Sequence, residues 1–176
     1  MSNGPVIHGS TKQQRYESLV ATLYQDVYRY AFWLCKNKPM AEDLVQETFL
    51  RAWRSLDSLQ NDKAVKAWLF TILRRENARQ YERYRPELVD IEGQSVAESG
   101  ENEPDARMDR ELLHNAINRL DSDYREPLLL QVIGGFSGKE IAEILNLNNN
   151  TVMTRLFRAR SILKQEFELD ADELED

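Results

Sequence analysis

Residues 137–160, SGKEIAEILNLNNNTVMTRLFRAR, read as two short helices joined by a tight turn. Ser137 and Glu140 have the spacing of a capping box, in which a hydroxyl and a carboxylate each satisfy a free backbone N–H, so a helix is predicted from Gly138. It is expected to stop near Asn146, a residue that tolerates the left-handed backbone most side chains resist. Ala142 sits at the predicted crossing, where only a small side chain lets two helices approach. In the second helix Val152, Leu156, Ala159 and Leu163 recur at helical spacing and form one inner stripe. That arrangement turns Asn150, Met153, Thr154, Phe157, Arg158 and Ser161 outward and leaves Arg155 at the border. From Thr151 to Lys164 there are four bases, Arg155, Arg158, Arg160 and Lys164, and no acid. A helix-turn-helix with a basic second helix suits duplex DNA, phosphate first. The same shape also occurs in helical bundles that meet no DNA.

The overall charge of −7 in 176 residues argues against nucleic acid only until its distribution is considered. Residues 87–111 and 165–176 each carry −7, so the rest of the chain is +7. A basic body with an acidic connector and an acidic tail is compatible with DNA, and implies weak binding by the free protein. The single cysteine, Cys35, lies in an apolar run and excludes a disulfide framework or an all-cysteine metal cluster within the chain. No apolar run approaches bilayer length and no basic-then-apolar leader precedes the polar start MSNGPVIHGST, so a cytoplasmic location is expected. Residues before about Lys12 are expected to be disordered.

Upstream, Tyr16, Leu19, Val20, Leu23, Val27, Tyr30, Ala31 and Leu34 trace one face of a long first helix, broken at Asn37 to Pro39. Pro39 suits the first turn of the next helix, where its missing amide hydrogen is not needed. In AEDLVQETFLRAWRSL the stripe Ala41, Leu44, Val45, Thr48, Phe49, Ala52, Trp53 and Leu56 is predicted to be buried. Asp43, Gln46, Glu47, Leu50 and Arg54 face the other way, either as a solvated face or as a docking surface for another protein's helix. After a short connection from Leu59 to Lys63, the helix KAWLFTILRRENARQYERYR packs through Val65, Trp68, Leu69, Ile72 and Leu73. It then changes to Arg74, Arg75, Arg79, Arg83 and Arg85 interleaved with Tyr81 and Tyr84. Such a mixture can hold phosphates and stack on unpaired bases, and equally can complement the helix dipole and solvate the surface. Pro86 ends this helix.

Residues 87–105 lack periodicity, contain Gly93, Gly100 and Pro104, and read as a flexible acidic linker. Leu112, Leu113, Ala116, Ile117 and Leu120 restore a helical stripe, 126–132 gives another helix, and Gly134 and Gly135 lead into the helix-turn-helix. The expected fold is all-α: a helical domain at 12–86, a linker at 87–108, a four-helix domain at 109–168 and an acidic tail at 169–176. No nucleophile elbow, Gly-rich phosphate loop or metal-ligand spacing is present, so no catalytic residue, metal or cofactor is expected.

Three pieces in this order, AEDLVQETFLRAW (41–53), WLFTILRRENAR (68–79) and EIAEILNLNNNTVMTRLFRAR (140–160), make the chain resemble an extracytoplasmic-function (ECF) sigma factor of the sigma-70 family over roughly Tyr16 to Leu163. The resemblance implies a sigma region 2-like domain, then a region 4-like domain, in a protein that directs core RNA polymerase to promoters. It further implies that Asp43, Gln46, Glu47 and, beside them, Leu50 dock on the clamp helices of the polymerase. The melted downstream promoter element would fall to Leu59, Asn61, Lys63 and Val65 in the loop, and to Arg74, Arg75, Arg79 and Tyr81. The upstream duplex would fall to Asn150, Thr151, Met153, Thr154, Arg155, Phe157 and Arg158. An anti-sigma factor is the further partner implied, and a monomer is the plain expectation for the free protein.

Several positions depart from that family's frequent pattern. Arg75 stands where Asn is common, Met153 follows Asn150-Thr151-Val152 where Lys or Arg is common, Leu120-Asp121 replaces Leu-Pro, and Asn146 replaces a turn glycine. Met153 donates no hydrogen bond but can pack on a thymine methyl. The competing function is a freestanding helix-turn-helix regulator, whose N-terminal helices sense a ligand or dimerise.

Overall fold

The computed structural model describes Ile7, Gly9 and residues 11–84 and 104–173, and the chain divides into two compact units between Gln94 and Ser95. Seven α-helices and two short 3-10 turns make up the regular structure, with no strand among the described residues. No helix among them is long and apolar enough to cross a membrane.

In the N-terminal unit a capping box starts α1 (Lys12–Cys35): Gln14 N–H donates to Thr11 Oγ1 at 3.2 Å, and Thr11 N–H to Gln14 Oε1 at 3.3 Å. Lys36 stops the helix in the left-handed conformation, φ 52°, with its N–H on Phe32 O at 2.7 Å. Asn37 then caps α2 (Lys38–Ser55), its Oδ1 accepting from Met40 N–H at 3.0 Å, with Pro39 in the first turn. The 3-10 turns Leu56–Ser58 and Asp62–Ala64 connect α2 to α3 (Val65–Tyr84).

The three helices close on a core of Leu19, Leu23, Val27 and Tyr30 from α1, Leu44, Val45, Thr48 and Phe49 from α2, and Val65, Leu69, Phe70 and Leu73 from α3. Each fully buried apolar side chain contributes roughly 1.5–3 kcal/mol. Thr48 avoids a stranded hydroxyl by donating to Leu44 O at 2.7 Å. Trp53, predicted in the buried stripe, is instead 38% exposed. It lies on the last turns of α2, where the N-terminal end of α1 supplies its cover: the Tyr16 ring meets it edge-on at 5.1 Å and the Lys12 ammonium sits 4.7 Å from its centre. In α3, Phe70 takes the core place, whereas Trp68 and Ile72 are half-buried. Ile7, expected in a disordered lead, is buried at 3% exposure.

The C-terminal unit contains α4 (Pro104–Arg119), α5 (Ser122–Val132), α6 (Gly138–Leu145) and α7 (Asn149–Glu173). Two boundaries differ from expectation: α4 begins inside the 87–108 stretch assigned to a linker, and α7 runs through most of the 169–176 stretch assigned to a tail. Residues 85–103 and 174–176 lie outside the described residues. Asp121, the residue that replaces the frequent proline, caps α5 through Oδ1 to Asp123 N–H at 3.0 Å. Between α5 and α6, a Cβ on Gly134 would collide with the Phe136 ring and with Leu130 O, which leaves no room for any larger residue.

The capping box of α6 forms as its spacing predicts, with Ser137 N–H on Glu140 Oε2 at 2.7 Å and Glu140 N–H on Ser137 Oγ at 3.3 Å. Asn146 closes the helix at φ 53°, and Leu147 N–H reaches back to Ala142 O at 2.9 Å. Asn148 Oδ1 accepts from Asn150 N–H at 2.8 Å at the start of α7. Ile141, Ala142, Ile144, Val152, Leu156 and Ala159 are buried together with Leu128, Leu129, Leu130 and Phe136 from α5 and the segment after it, while Leu163 is only half-buried.

Candidate nucleic-acid interfaces

On α2 the helical period that buries Leu44, Val45 and Thr48 leaves Asp43, Gln46 and Leu50 exposed, with Glu47 half-buried beside them. The face is not purely polar: Leu50 is 45% exposed, and next to it α1 and α2 form a groove of about 530 Å³. Tyr16, Val20, Tyr24, Val45, Phe49 and Leu50 line it together with Glu42 and Gln46. Tyr24 stacks on Phe49 at 6.0 Å and on Tyr28 at 6.3 Å. Burial pushes the Tyr16 phenol above its ordinary range, and its hydroxyl donates to Phe49 O at 3.2 Å. A mostly apolar groove lined also by a carboxylate and an amide is of the kind that accepts the apolar face of an amphipathic helix.

Behind that face lies a chain of charge that the sequence pattern does not announce. Glu47 Oε1 meets Arg51 Nε at 3.1 Å, and the same Nε lies 3.4 Å from Glu76 Oε1 on α3. Arg79 Nη1 approaches that same oxygen at 3.1 Å. Glu76 is 5% exposed, so two half-exposed guanidinium groups compensate one buried carboxylate.

Of the residues assigned to separated strands, Asn61, Lys63, Arg75, Arg79 and Tyr81 are exposed, while Leu59 and Arg74 are half-buried. Val65 is a correction to the resemblance: it opens α3 with its side chain fully buried, as its helical period predicts, so that side chain is not available to DNA. Asn61 is partly committed to the loop, its Oδ1 accepting from Lys63 N–H at 3.0 Å. Arg75 and Arg79 are one turn apart on α3, as neighbours on one face. Tyr81 is 65% exposed, with its ring open to solvent.

In the C-terminal unit Asn150, Met153, Thr154, Phe157 and Arg158 are exposed on α7, with Thr151 and Arg155 half-buried. Met153 and Phe157 are large apolar side chains at 51% and 70% exposure, one turn apart on an otherwise polar face. Helix α5 takes hold of the neighbouring cations: Arg155 Nη2 lies 3.3 Å from Asp123 Oδ2, Arg158 Nη1 3.5 Å from the Tyr124 hydroxyl, and Arg160 bonds to Gln131. These α5 partners are 29 to 34 residues away in sequence, and local spacing gives no sign of them.

One unit thus pairs an exposed, mixed polar and apolar face of α2 with an arginine- and tyrosine-bearing helix, and the other presents a helix-turn-helix with an exposed second helix. Those are the two defining parts of a sigma-70-type initiation factor: the Sigma-70 region 2 family matches residues 19–87 and the Sigma-70, region 4 family matches residues 110–163. The ECF RNA polymerase sigma factor EcfG of Rhodopseudomonas palustris (strain TIE-1) is 38% identical over 82% of this chain and 80% of its own length. The RNA polymerase sigma factor SigV of Bacillus subtilis (strain 168) is 31% identical over 87% of this chain and 93% of its own. Among solved structures, the sigma factor RpoE of Bartonella quintana, in a co-crystal with the anti-sigma factor NepR, superimposes with a TM-score of 0.72 at 30% identity, covering 88% of this chain and 98% of that one. The chain belongs to the ECF family of RNA polymerase sigma factors. Its partners are core RNA polymerase and promoter DNA.

Proposed function

We propose that the protein works in the cytoplasm as an alternative sigma factor whose Asp43, Gln46, Glu47 and Leu50 face docks on the clamp helices of core RNA polymerase. It makes and breaks no covalent bond. The loop residues Leu59, Asn61 and Lys63, with Arg74, Arg75, Arg79 and Tyr81, hold the melted downstream element. Asn150, Thr151, Met153, Thr154, Arg155, Phe157 and Arg158 engage the upstream duplex. An anti-sigma factor holds it inactive; the support for that is the relative of known structure whose co-crystal partner is one.

The observation that carries the assignment of the docking face is the exposure of Asp43, Gln46 and Leu50 beside an open apolar groove, on a helix whose opposite face is fully used by the core. The test adds purified core polymerase and asks for promoter-specific run-off transcripts, with Asp43→Arg as the probe. Wild type should confer initiation and co-purify with core, and Asp43→Arg should do neither while keeping its helix content. Undiminished capture of core by Asp43→Arg would refute the docking assignment. Tight, sequence-specific duplex binding without core would favour a freestanding regulator instead.

A further inference from the structure

The first turn of α1 carries Lys12 and Arg15 and no acid. Cations at a helix N-terminus face the positive end of the helix dipole, so on local grounds alone they are in the wrong place. Both reach across to the connection between α2 and α3. Lys12 Nζ lies 3.0 Å from Asp57 Oδ2, and Arg15 Nη2 lies 2.8 Å from Asp62 Oδ1. The two bases, three residues apart, share one side of α1. The two acids bracket the loop tip: Asp57 stands before it and Asp62 after it. Each end of the loop is closed internally as well, by Leu59 N–H on Leu56 O at 3.1 Å and by Ala64 N–H on Asn61 O at 3.0 Å. What remains between the two acids is Ser58, Leu59, Gln60 and Asn61.

Resting on the reading of this loop as a strand-capturing element, we infer that Arg15, with Lys12 beside it, is a positioning residue that sets the shape of the loop and thereby promoter discrimination at the downstream element. Most exposed ion pairs contribute little. Arg15 differs in that its side chain is only 23% exposed and ties two segments 47 residues apart, so it holds the far end of the loop to α1. The pairs have a second effect. Asp57 and Asp62 would repel a phosphate strand entering beside the loop, and the two α1 cations neutralise them there. Neither residue needs to touch DNA for this.

The test uses the full chain with core polymerase and a promoter library randomised in the downstream element and, separately, in the upstream element, with transcripts sequenced. The variants are Arg15→Gln, Asp62→Asn and the exchanged pair Arg15→Asp with Asp62→Arg. Each single variant should flatten base preference in the downstream element by about two- to fivefold, the range expected of a pair of this exposure, and leave upstream preference unchanged. The exchanged pair should recover most of that preference, which a merely destabilised unit would not do. Single variants indistinguishable from wild type, or an exchanged pair as flat as the singles, would overturn the inference while leaving strand capture standing. A wild-type protein that initiates with no downstream preference at all would remove the reading of the loop, and this inference with it.

Discussion

Replacing Arg51 and Arg79 together should destabilise the N-terminal unit by more than the two single replacements combined. Glu76 is 5% exposed and takes Arg51 at 3.4 Å and Arg79 at 3.1 Å on the same carboxylate oxygen. With either arginine gone the other still compensates the charge. Both guanidinium side chains are 39–52% exposed, so each single change to Ala should cost about 1 kcal/mol. With both gone the carboxylate stays buried without either cation, a situation that costs about 3–5 kcal/mol. The excess over additivity is therefore about 1–3 kcal/mol. Glu76→Met removes the charge itself, and the two arginines are exposed enough to rehydrate, so it should cost no more than about 1 kcal/mol. Trp33, Trp53 and Trp68 are the chain's three tryptophans and all lie in this unit, so urea unfolding followed by tryptophan fluorescence reports on it alone. Arginine effects that add to within about 0.5 kcal/mol, or a Glu76→Met variant as unstable as the double arginine variant, would refute the argument.

Two further outcomes follow from the geometry. Arg158→Ala should lower the salt dependence of holoenzyme binding to promoter duplex by about 0.9 in slope, the value of one neutralised phosphate, and Arg155→Ala, whose cation is partly engaged by Asp123, should lower it less; anisotropy titrations across a salt series measure both. Burial pushes the Cys35 thiol from its ordinary 9.0 up to about 11, so iodoacetamide should label it slowly at pH 8 in the folded protein and faster as the pH approaches 11. Because the folded value is the raised one, this group favours the native state below pH 9 and loses that contribution as pH rises towards 11.

What was legible from sequence is what is local. Ser137, Glu140 and Asn146 act within a few residues of their own backbone, and the structure places all three as their pattern predicts. The inner stripe of α7 likewise follows from a helical period that can be counted along the chain. What was not legible depends on partners remote in the chain. Glu76 sits in an arginine-rich run where it reads as one more solvated acid, and only the packing of α2 against α3 brings Arg51 to it. Trp53 has the right period for the core, but at the end of α2 the period runs past the available cover. Val65 shows the two kinds of reading at odds: its helical period predicts the buried place it takes in α3, and only the family resemblance put it among the DNA-facing loop residues. Asp123 and Tyr124 reach Arg155 and Arg158 of α7 only through the fold of the C-terminal unit.

Helix α7 runs without interruption from the turn at Asn149 to Glu173, 25 residues and so about 37 Å of rigid rod. Its beginning carries the exposed Met153 and Phe157 and its far end is strongly acidic in sequence. There is no joint between the two. A tilt of about 10° over about 37 Å displaces one end by about 6 Å relative to the other, so a load borne at the acidic end would be felt at the turn that carries Met153 and Phe157.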